Sequence, residues 1–300
     1  MLSRRTETLH PDAAGLDARS DDEILGLMLD GQLAAVAAVR AALPAIGQAA
    51  QLMVRTLRAG GALVYAGAGS SALMALADAA ELGGTFGVPQ AQVRLLMAGG
   101  VPADARMPGD TEDDAGAAEA AAATLGGNDL LIAVTASGST PYPFALARLA
   151  QARGIAVVAI ANNREAALFA HADVAICLPT PPELVAGSTR LGAATAQKVA
   201  LNLMSTLMGI RLGQVHDGMM VGLIADNDKL RARAQGIVAR IAGVAEAEAG
   251  ESLARTGGAV KPAVLVARGL APAGAERLLQ ETEGNLRAAL ARLDQTGGAP

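Results

Sequence analysis

From residue 23 to about 40, and again from 45 to 58, apolar positions recur at helical spacing, which predicts two amphipathic helices. After Gly60-Gly61 the pattern changes to short apolar runs, each followed by turn residues. The runs cover 62–66, 93–97, 130–135, 156–161 and 174–178. Each is rich in Val, Ile, Leu or Ala and too short for a helix. Ala-rich stretches at 71–82, 112–125, 142–153 and 164–171 lie between them and are long enough to be helical. Hydrophobicity that is continuous rather than alternating predicts strands covered on both faces. Strand and helix in alternation predict a parallel sheet with right-handed crossovers. A longer helical pattern follows Thr189 to about Leu212, and another lies near 226–243. The expected fold class is α/β, a five-stranded parallel sheet flanked by helices.

The last fifty or so residues read differently. Leu253, Gly258, Val260, Lys261, Ala263 and Val264 have counterparts 26 residues later at Leu279, Gly284, Leu286, Arg287, Ala289 and Leu290. This weak repeat predicts a small helical subdomain with glycine turns at Gly258 and Gly284. The organisation expected is an N-terminal arm over 1–22, a ligand-binding domain over 23–243 and the helical subdomain over 244–300.

Composition narrows the function classes. The chain has 24 basic and 29 acidic residues, a formal charge of −5, so neither a nucleic-acid surface nor an anionic membrane is an expected partner. Aromatic content of 2% leaves few platforms for base stacking. The single cysteine, Cys177, excludes an intramolecular disulfide and a Cys-based zinc cluster. No run is read as a signal peptide or a transmembrane span, and the expectation is a soluble, cytoplasmic protein.

Three hydroxyl-rich loops carry the candidate chemistry. Gly67-Ala68-Gly69-Ser70-Ser71 follows the first predicted strand and opens a helix. Thr135-Ala136-Ser137-Gly138-Ser139-Thr140-Pro141 does the same at the end of the third, and Gly187-Ser188-Thr189-Arg190 opens the long helix. Free N–H groups and the helix dipole favour an anion at such a junction. Each loop alone is equally an ordinary N-cap. Together, at strand ends of an open parallel sheet, they point to a phosphorylated small molecule. Gly67 to Ala72 also fits the dinucleotide fingerprint, but the second strand ends Leu96-Met97-Ala98-Gly99-Gly100 without the carboxylate that would hold a ribose.

With these loops placed, the chain resembles the N-acetylmuramic acid 6-phosphate etherases, members of the sugar isomerase (SIS) group. Residues 66–71 and 137–141 look like its phosphate loops, and the resemblance extends over nearly the whole chain. It takes in Thr6-Glu7 in the arm, Asp78-Ala79-Ala80-Glu81, Glu112-Asp113-Asp114, Gly187-Ser188-Thr189-Arg190-Leu191 and Thr195-Ala196-Gln197-Lys198. The resemblance implies a flavodoxin-like SIS sandwich and a cofactor-free elimination in cell-wall recycling. The open-chain sugar loses D-lactate from C3, and water then adds to give N-acetylglucosamine 6-phosphate. Glu81 matches the position of the acid and Glu112 that of the base. Gly69, Ser70, Ser71, Ser137, Gly138, Ser139, Thr140, Ser188, Thr189, Arg190 and Lys198 are carried over as substrate- or phosphate-binding positions. A phosphorylated amino sugar and a homodimer, with sites near the subunit interface, are the implied partners.

Without the resemblance, Glu81 reads as a solvated helix-end residue, Glu112 as an acidic residue favoured at a helix start, and Lys198 as an exposed lysine. His171, His216 and Cys177 read as structural. The departures from the family fall at the site. Ala72-Leu73 replaces Gly-Arg, Ser139 replaces an arginine and Gly192 a lysine, so three expected cations are missing. That leaves open two alternatives, a non-catalytic sugar-phosphate regulator of the glucokinase-regulatory type and a sugar phosphate isomerase.

Overall fold

The structure, a computed structural model, describes residues 7–104, 106–107 and 109–297. Thr6 and the rest of the arm before it lie outside the described residues, as do the last three residues of the C-terminal segment. Five strands, β1 (Leu63–Gly67), β2 (Val93–Met97), β3 (Leu130–Thr135), β4 (Ala156–Ala161) and β5 (Val174–Cys177), form one sheet in the order β2-β1-β3-β4-β5. All neighbours are parallel, with Leu63 opposite both Val93 and Leu130. Strands β1 and β3 are buried along their whole length, which is why their sequences are continuously apolar.

Helices α1 (Asp21–Ala38), α2 (Leu43–Arg58), α3 (Gly69–Phe86), α4 (Ala115–Ala123), α5 (Pro141–Ala152) and α6 (Gly192–Arg211) surround the sheet. One face of the sheet, with Val64, Ala66, Leu131, Ala133, Val157 and Ala159, packs on alanines of α4 and α5. Small side chains there let helix and sheet backbones approach closely. Tyr65, on the opposite face of β1, meets Asp78 of α3. The helix expected over 164–171 is only a five-residue 3-10 turn, Ala167–His171. The short link from β4 to β5 leaves no room for more, and Leu168 N–H is drawn to the Gly138 carbonyl at 3.0 Å.

The chain divides into two compact units. One holds the residues through Ala80 and Ala91–Ser205, the other Glu81–Gln90 and the residues from Thr206 onward. The second unit carries the hairpin β6 (Val215–His216) and β7 (Met219–Met220), then α7 (Asp228–Ala242), α8 (Glu246–Arg255), α9 (Val260–Ala267), α10 (Pro272–Glu281) and α11 (Leu286–Gly297). The repeat is structural. Helices α8 and α10 start 26 residues apart, as do α9 and α11. Thr256 and Thr282 each turn their hydroxyl back onto the carbonyl four residues earlier, at 3.0 and 2.8 Å. These helices bury Val260, Ala263, Val264, Ala275, Leu286 and Ala289 in a core of their own.

Ser20 and Glu23 close a capping box at the start of α1. This helix exposes Leu25, Leu29, Leu33 and Val36, a stripe of one face at helical spacing. The stretch Asp21–Arg58 contains a window of mean hydropathy 1.5, long and apolar enough by composition to cross a membrane. That window is 11% buried, whereas α2 at the end of the stretch buries Ile46, Ala49, Ala50, Met53 and Thr56.

Candidate active site

In a sheet of this order the crossovers leaving β1 and β3 run to opposite sides, and a crevice opens at the carboxyl ends of those two strands. A cleft of about 550 Å³ lies there. Ala68, Gly69, Ser70 and Ser71 line it after β1, and Thr135, Ala136, Ser137, Ser139, Thr140 and Pro141 after β3. Gly187 and Thr189 complete the floor, with the carboxylates of Glu7, Glu112 and Asp113 facing the same space.

The first loop depends on glycine twice. A Cβ at Gly67 would lie 3.1 Å from the Val134 carbonyl oxygen and 3.2 Å from Ala72, so only glycine lets α3 leave β1 this tightly. Gly69 has φ +53° and starts α3, turning the hydroxyls of Ser70 and Ser71 to the cleft.

The second loop is a cluster of hydroxyls held from behind. The Thr135 and Thr140 hydroxyls are 2.7 Å apart, those of Ser137 and Thr140 3.3 Å, and Ser139 N–H donates to Ser137 Oγ at 3.2 Å. Asn163 Nδ2 donates to the Ala136 and Ser137 carbonyls at 3.2 and 3.1 Å. Thr140 sits at the N-cap of α5, where its carbonyl accepts from Phe144 N–H at 3.1 Å but its hydroxyl makes no bond to the helix backbone. Prolines at 141 and 143 leave Tyr142 as the one N–H carrier in the first three helical positions. Hydroxyls, more than helix amides, are therefore what this loop offers an anion. Gly138 has φ +79°, and a Cβ there would fall 2.2 Å from that of Ala166.

The third loop differs from the sequence expectation. Ser188, Thr189 and Arg190 do not open the long helix, because α6 begins at Gly192. Its N-terminus is filled by the buried carboxylate of Glu183, which accepts from Gly192 N–H at 2.9 Å and Ala193 N–H at 2.8 Å. An acidic side chain thus occupies the anion position of this helix. A Cβ at Gly192 would lie 3.1 Å from Ala35 Cβ and 3.2 Å from Glu183 Oε2.

Of the sequence-derived positions, Gly69, Ser70, Ser71, Glu112, Ser137, Ser139, Thr140 and Thr189 line the cleft. Gly138 contributes backbone only, its N–H reaching Thr135 Oγ1 at 3.4 Å. Ser188 is not among the lining residues, and Arg190 and Lys198 are exposed and likewise outside the lining. Glu81 is exposed and is not among the residues that line the cleft.

Glu112 lies in a 3-10 turn, Thr111–Asp113, and its Oε2 stands 4.0 Å from the Cβ position of Gly69. The helix-capping role that charge alone could assign to Glu112 belongs to Asp114, whose Oδ1 accepts from Ala117 N–H at 2.8 Å. Sequence reasoning missed Glu7 and Asp113 as lining residues, and Glu183 as the cap of α6, while Thr135 stood at the edge of the second candidate loop. Among the described residues no Lys or Arg lines the cleft, and no His, Cys, Asp and Glu group fits a metal ion. Cys177 is half-buried; burial raises its thiol, with Arg164 acting the other way, and its sulfur contacts the Asn163 carbonyl.

The SIS domain model matches residues 33–162. Similar proteins named N-acetylmuramic acid 6-phosphate etherase occur in Deinococcus radiodurans (42% identical, 94% of this chain and 92% of that one) and Streptomyces avermitilis (41%, 95% and 93%). A third, from Serratia proteamaculans, is 39% identical over 96% of this chain and 98% of its own. Among solved structures, a Bacteroides fragilis protein described as a candidate phosphosugar isomerase of capsule formation shares the fold. Its TM-score is 0.52 at 22% identity, covering 66% of this chain and 95% of that one.

Proposed function

Because the chain belongs to the N-acetylmuramic acid 6-phosphate etherase family, we propose that it is a carbon–oxygen lyase that eliminates D-lactate from N-acetylmuramic acid 6-phosphate. The observation that carries this reading is the cleft itself: hydroxyl loops suited to a phosphate lie at the ends of β1 and β3, with the Glu112 carboxylate above Gly69. The phosphate is held by Ser70, Ser71, Ser137, Ser139 and Thr140. Glu112 takes the proton from C2 of the open-chain sugar, made acidic by the neighbouring C1 aldehyde, and an acid protonates the departing C3 ether oxygen. Water then adds at C3, and C2 regains a proton, giving N-acetylglucosamine 6-phosphate.

Glu81 is the proposed acid. It is not among the residues lining the cleft, which is the ground for placing it on a second copy of the chain. A homodimer has a ready face in the Leu25, Leu29, Leu33 and Val36 stripe, which a two-fold axis would set against itself. The proposed setting is the cytoplasm, in peptidoglycan recycling.

The test is lactate release from N-acetylmuramic acid 6-phosphate by the purified protein beside Glu81→Gln and Glu112→Gln. Release that collapses in both variants supports the lyase and its acid–base pair. The lack of Lys and Arg among the described lining residues favours one second reading, a sugar-phosphate sensor. No lactate, with sugar phosphates still raising the melting temperature, would replace the first reading with that one.

A further inference from the structure

We infer that Glu7, brought by the N-terminal arm, is a sugar-binding residue of this cleft, accepting hydrogen bonds from a hydroxyl or the acetamido N–H of the substrate while the loops hold its phosphate. The inference rests on the reading that the ligand is an amino sugar 6-phosphate. Glu7 lines the cleft although it is far in sequence from every loop there. Its Oε2 lies 3.5 Å from the Cβ position of Gly187, which has φ +75°, on the third loop. Glu112 by contrast overlies Gly69 on the first loop, so the two carboxylates address different parts of the ligand.

The chemistry assigns the roles. A carboxylate beside a phosphate dianion repels it, so Glu7 has no place among the phosphate ligands. Sugar hydroxyls and the acetamido N–H are donors and need acceptors. The polar side chains of the two phosphate loops at the cleft are hydroxyls, which both donate and accept, and its acceptor-only side chains are the carboxylates. Glu112 is committed to proton transfer and Asp113 is its neighbour in the same turn, which leaves Glu7 as the carboxylate beside Gly187.

Beyond Glu7 the arm is held in shape by its own hydrogen bonds. Asp12 N–H donates to His10 Nδ1 at 3.1 Å, and Arg19 Nη2 donates to the Asp12 and Ala14 carbonyls at 3.0 and 3.3 Å. The capping box then joins the arm to α1.

The experiment is calorimetry on the full chain with two probes, N-acetylglucosamine 6-phosphate and inorganic phosphate, using wild type, Glu7→Gln and Glu7→Ala. Loss of a charge-assisted hydrogen bond predicts that Glu7→Ala weakens sugar phosphate binding about tenfold or more, with inorganic phosphate unchanged and Glu7→Gln between. Three results overturn the inference: unchanged sugar phosphate affinity in both variants, an equal loss for both probes (the arm then only shapes the loops), or a wild type that binds neither. Binding needs no turnover. A wild type that shows the Glu7 dependence yet releases no lactate would therefore refute the lyase reading and leave this one standing.

Discussion

Asp78 offers the sharpest test of how the site is held. Its carboxylate, 3% exposed, joins three elements. Oδ2 accepts from the Tyr65 hydroxyl of β1 at 2.9 Å, and Oδ1 from Asn202 Nδ2 and Ser205 Oγ of α6, both at 2.8 Å. The charge thus rests on three hydrogen bonds from neutral donors. Asp78→Ala removes the acceptor and leaves those donors facing a void. Each unsatisfied buried donor costs about 1–3 kcal/mol, partly offset because a desolvated charge also disappears, for a net loss of about 3–4 kcal/mol. Ser205 can fall back on the Asn202 carbonyl at 3.4 Å, which holds the figure below the sum of three.

Asp78→Asn keeps the volume and one acceptor, and the Tyr65 hydroxyl can turn to accept from the new amide, so about 1–2 kcal/mol is expected. The same node sets an alkaline limit. Burial first, then the Asp78 charge, raises the Tyr65 hydroxyl well above its ordinary value of 10.0. Its folded pKa exceeds the unfolded one, so this contribution is intact below pH 10 and is lost as pH climbs through the folded pKa. Urea unfolding followed by far-ultraviolet circular dichroism measures the differences. An Ala variant within about 1 kcal/mol of wild type, or equal to the Asn variant, would refute the account.

Mixing the Glu81→Gln and Glu112→Gln chains tests the shared site. Statistical exchange puts half the dimers in the mixed form, each with one intact site, and restores roughly a quarter of wild-type activity; no recovery means Glu81 does not act across subunits. Ser139→Arg supplies a cation at a cleft-lining position, and sugar phosphate affinity measured by calorimetry should rise about tenfold. Lys261 donates to the Gly284 carbonyl at 2.9 Å, and burial lowers its pKa from 10.5 to about 8. The unfolded chain holds that proton more tightly, so stability should rise as pH passes from about 8 toward 10.5; chemical unfolding across this range should show the rise in wild type and not in Lys261→Met.

The central strands were legible because β1 and β3 are buried along their whole length and β4 along nearly all of it, and the edge strands β2 and β5 keep short apolar runs although they are less buried. The apolar runs at 93–97, 130–135 and 156–161 coincide with β2, β3 and β4. The loops at Gly69–Ser71 and Ser137–Thr140 were legible because glycine and hydroxyls mark where a strand hands over to a helix. What periodicity could not supply was any pairing across the chain. Glu7 meets Gly187 only through the course of the arm, and Glu183 reaches the start of α6 across an irregular segment. Neither leaves a local signature. Nor could charge pattern alone separate Glu112 from Asp114 in one acidic run; backbone geometry makes one a cap and turns the other to the cleft.

The same poverty of aromatic side chains that lets alanine-faced helices close on the sheet has an optical consequence. The chain has two tyrosines and no tryptophan, so its near-ultraviolet spectrum belongs almost wholly to Tyr65 and Tyr142. Both are buried, one on the Asp78 node and the other at the start of α5, two residues past Thr140. The protein therefore carries two native chromophores, one at its structural hinge-pin and one beside the phosphate loop. Tyrosine difference spectra can follow ligand entry and loosening of the core without a label, and Tyr65→Phe assigns each signal to its source.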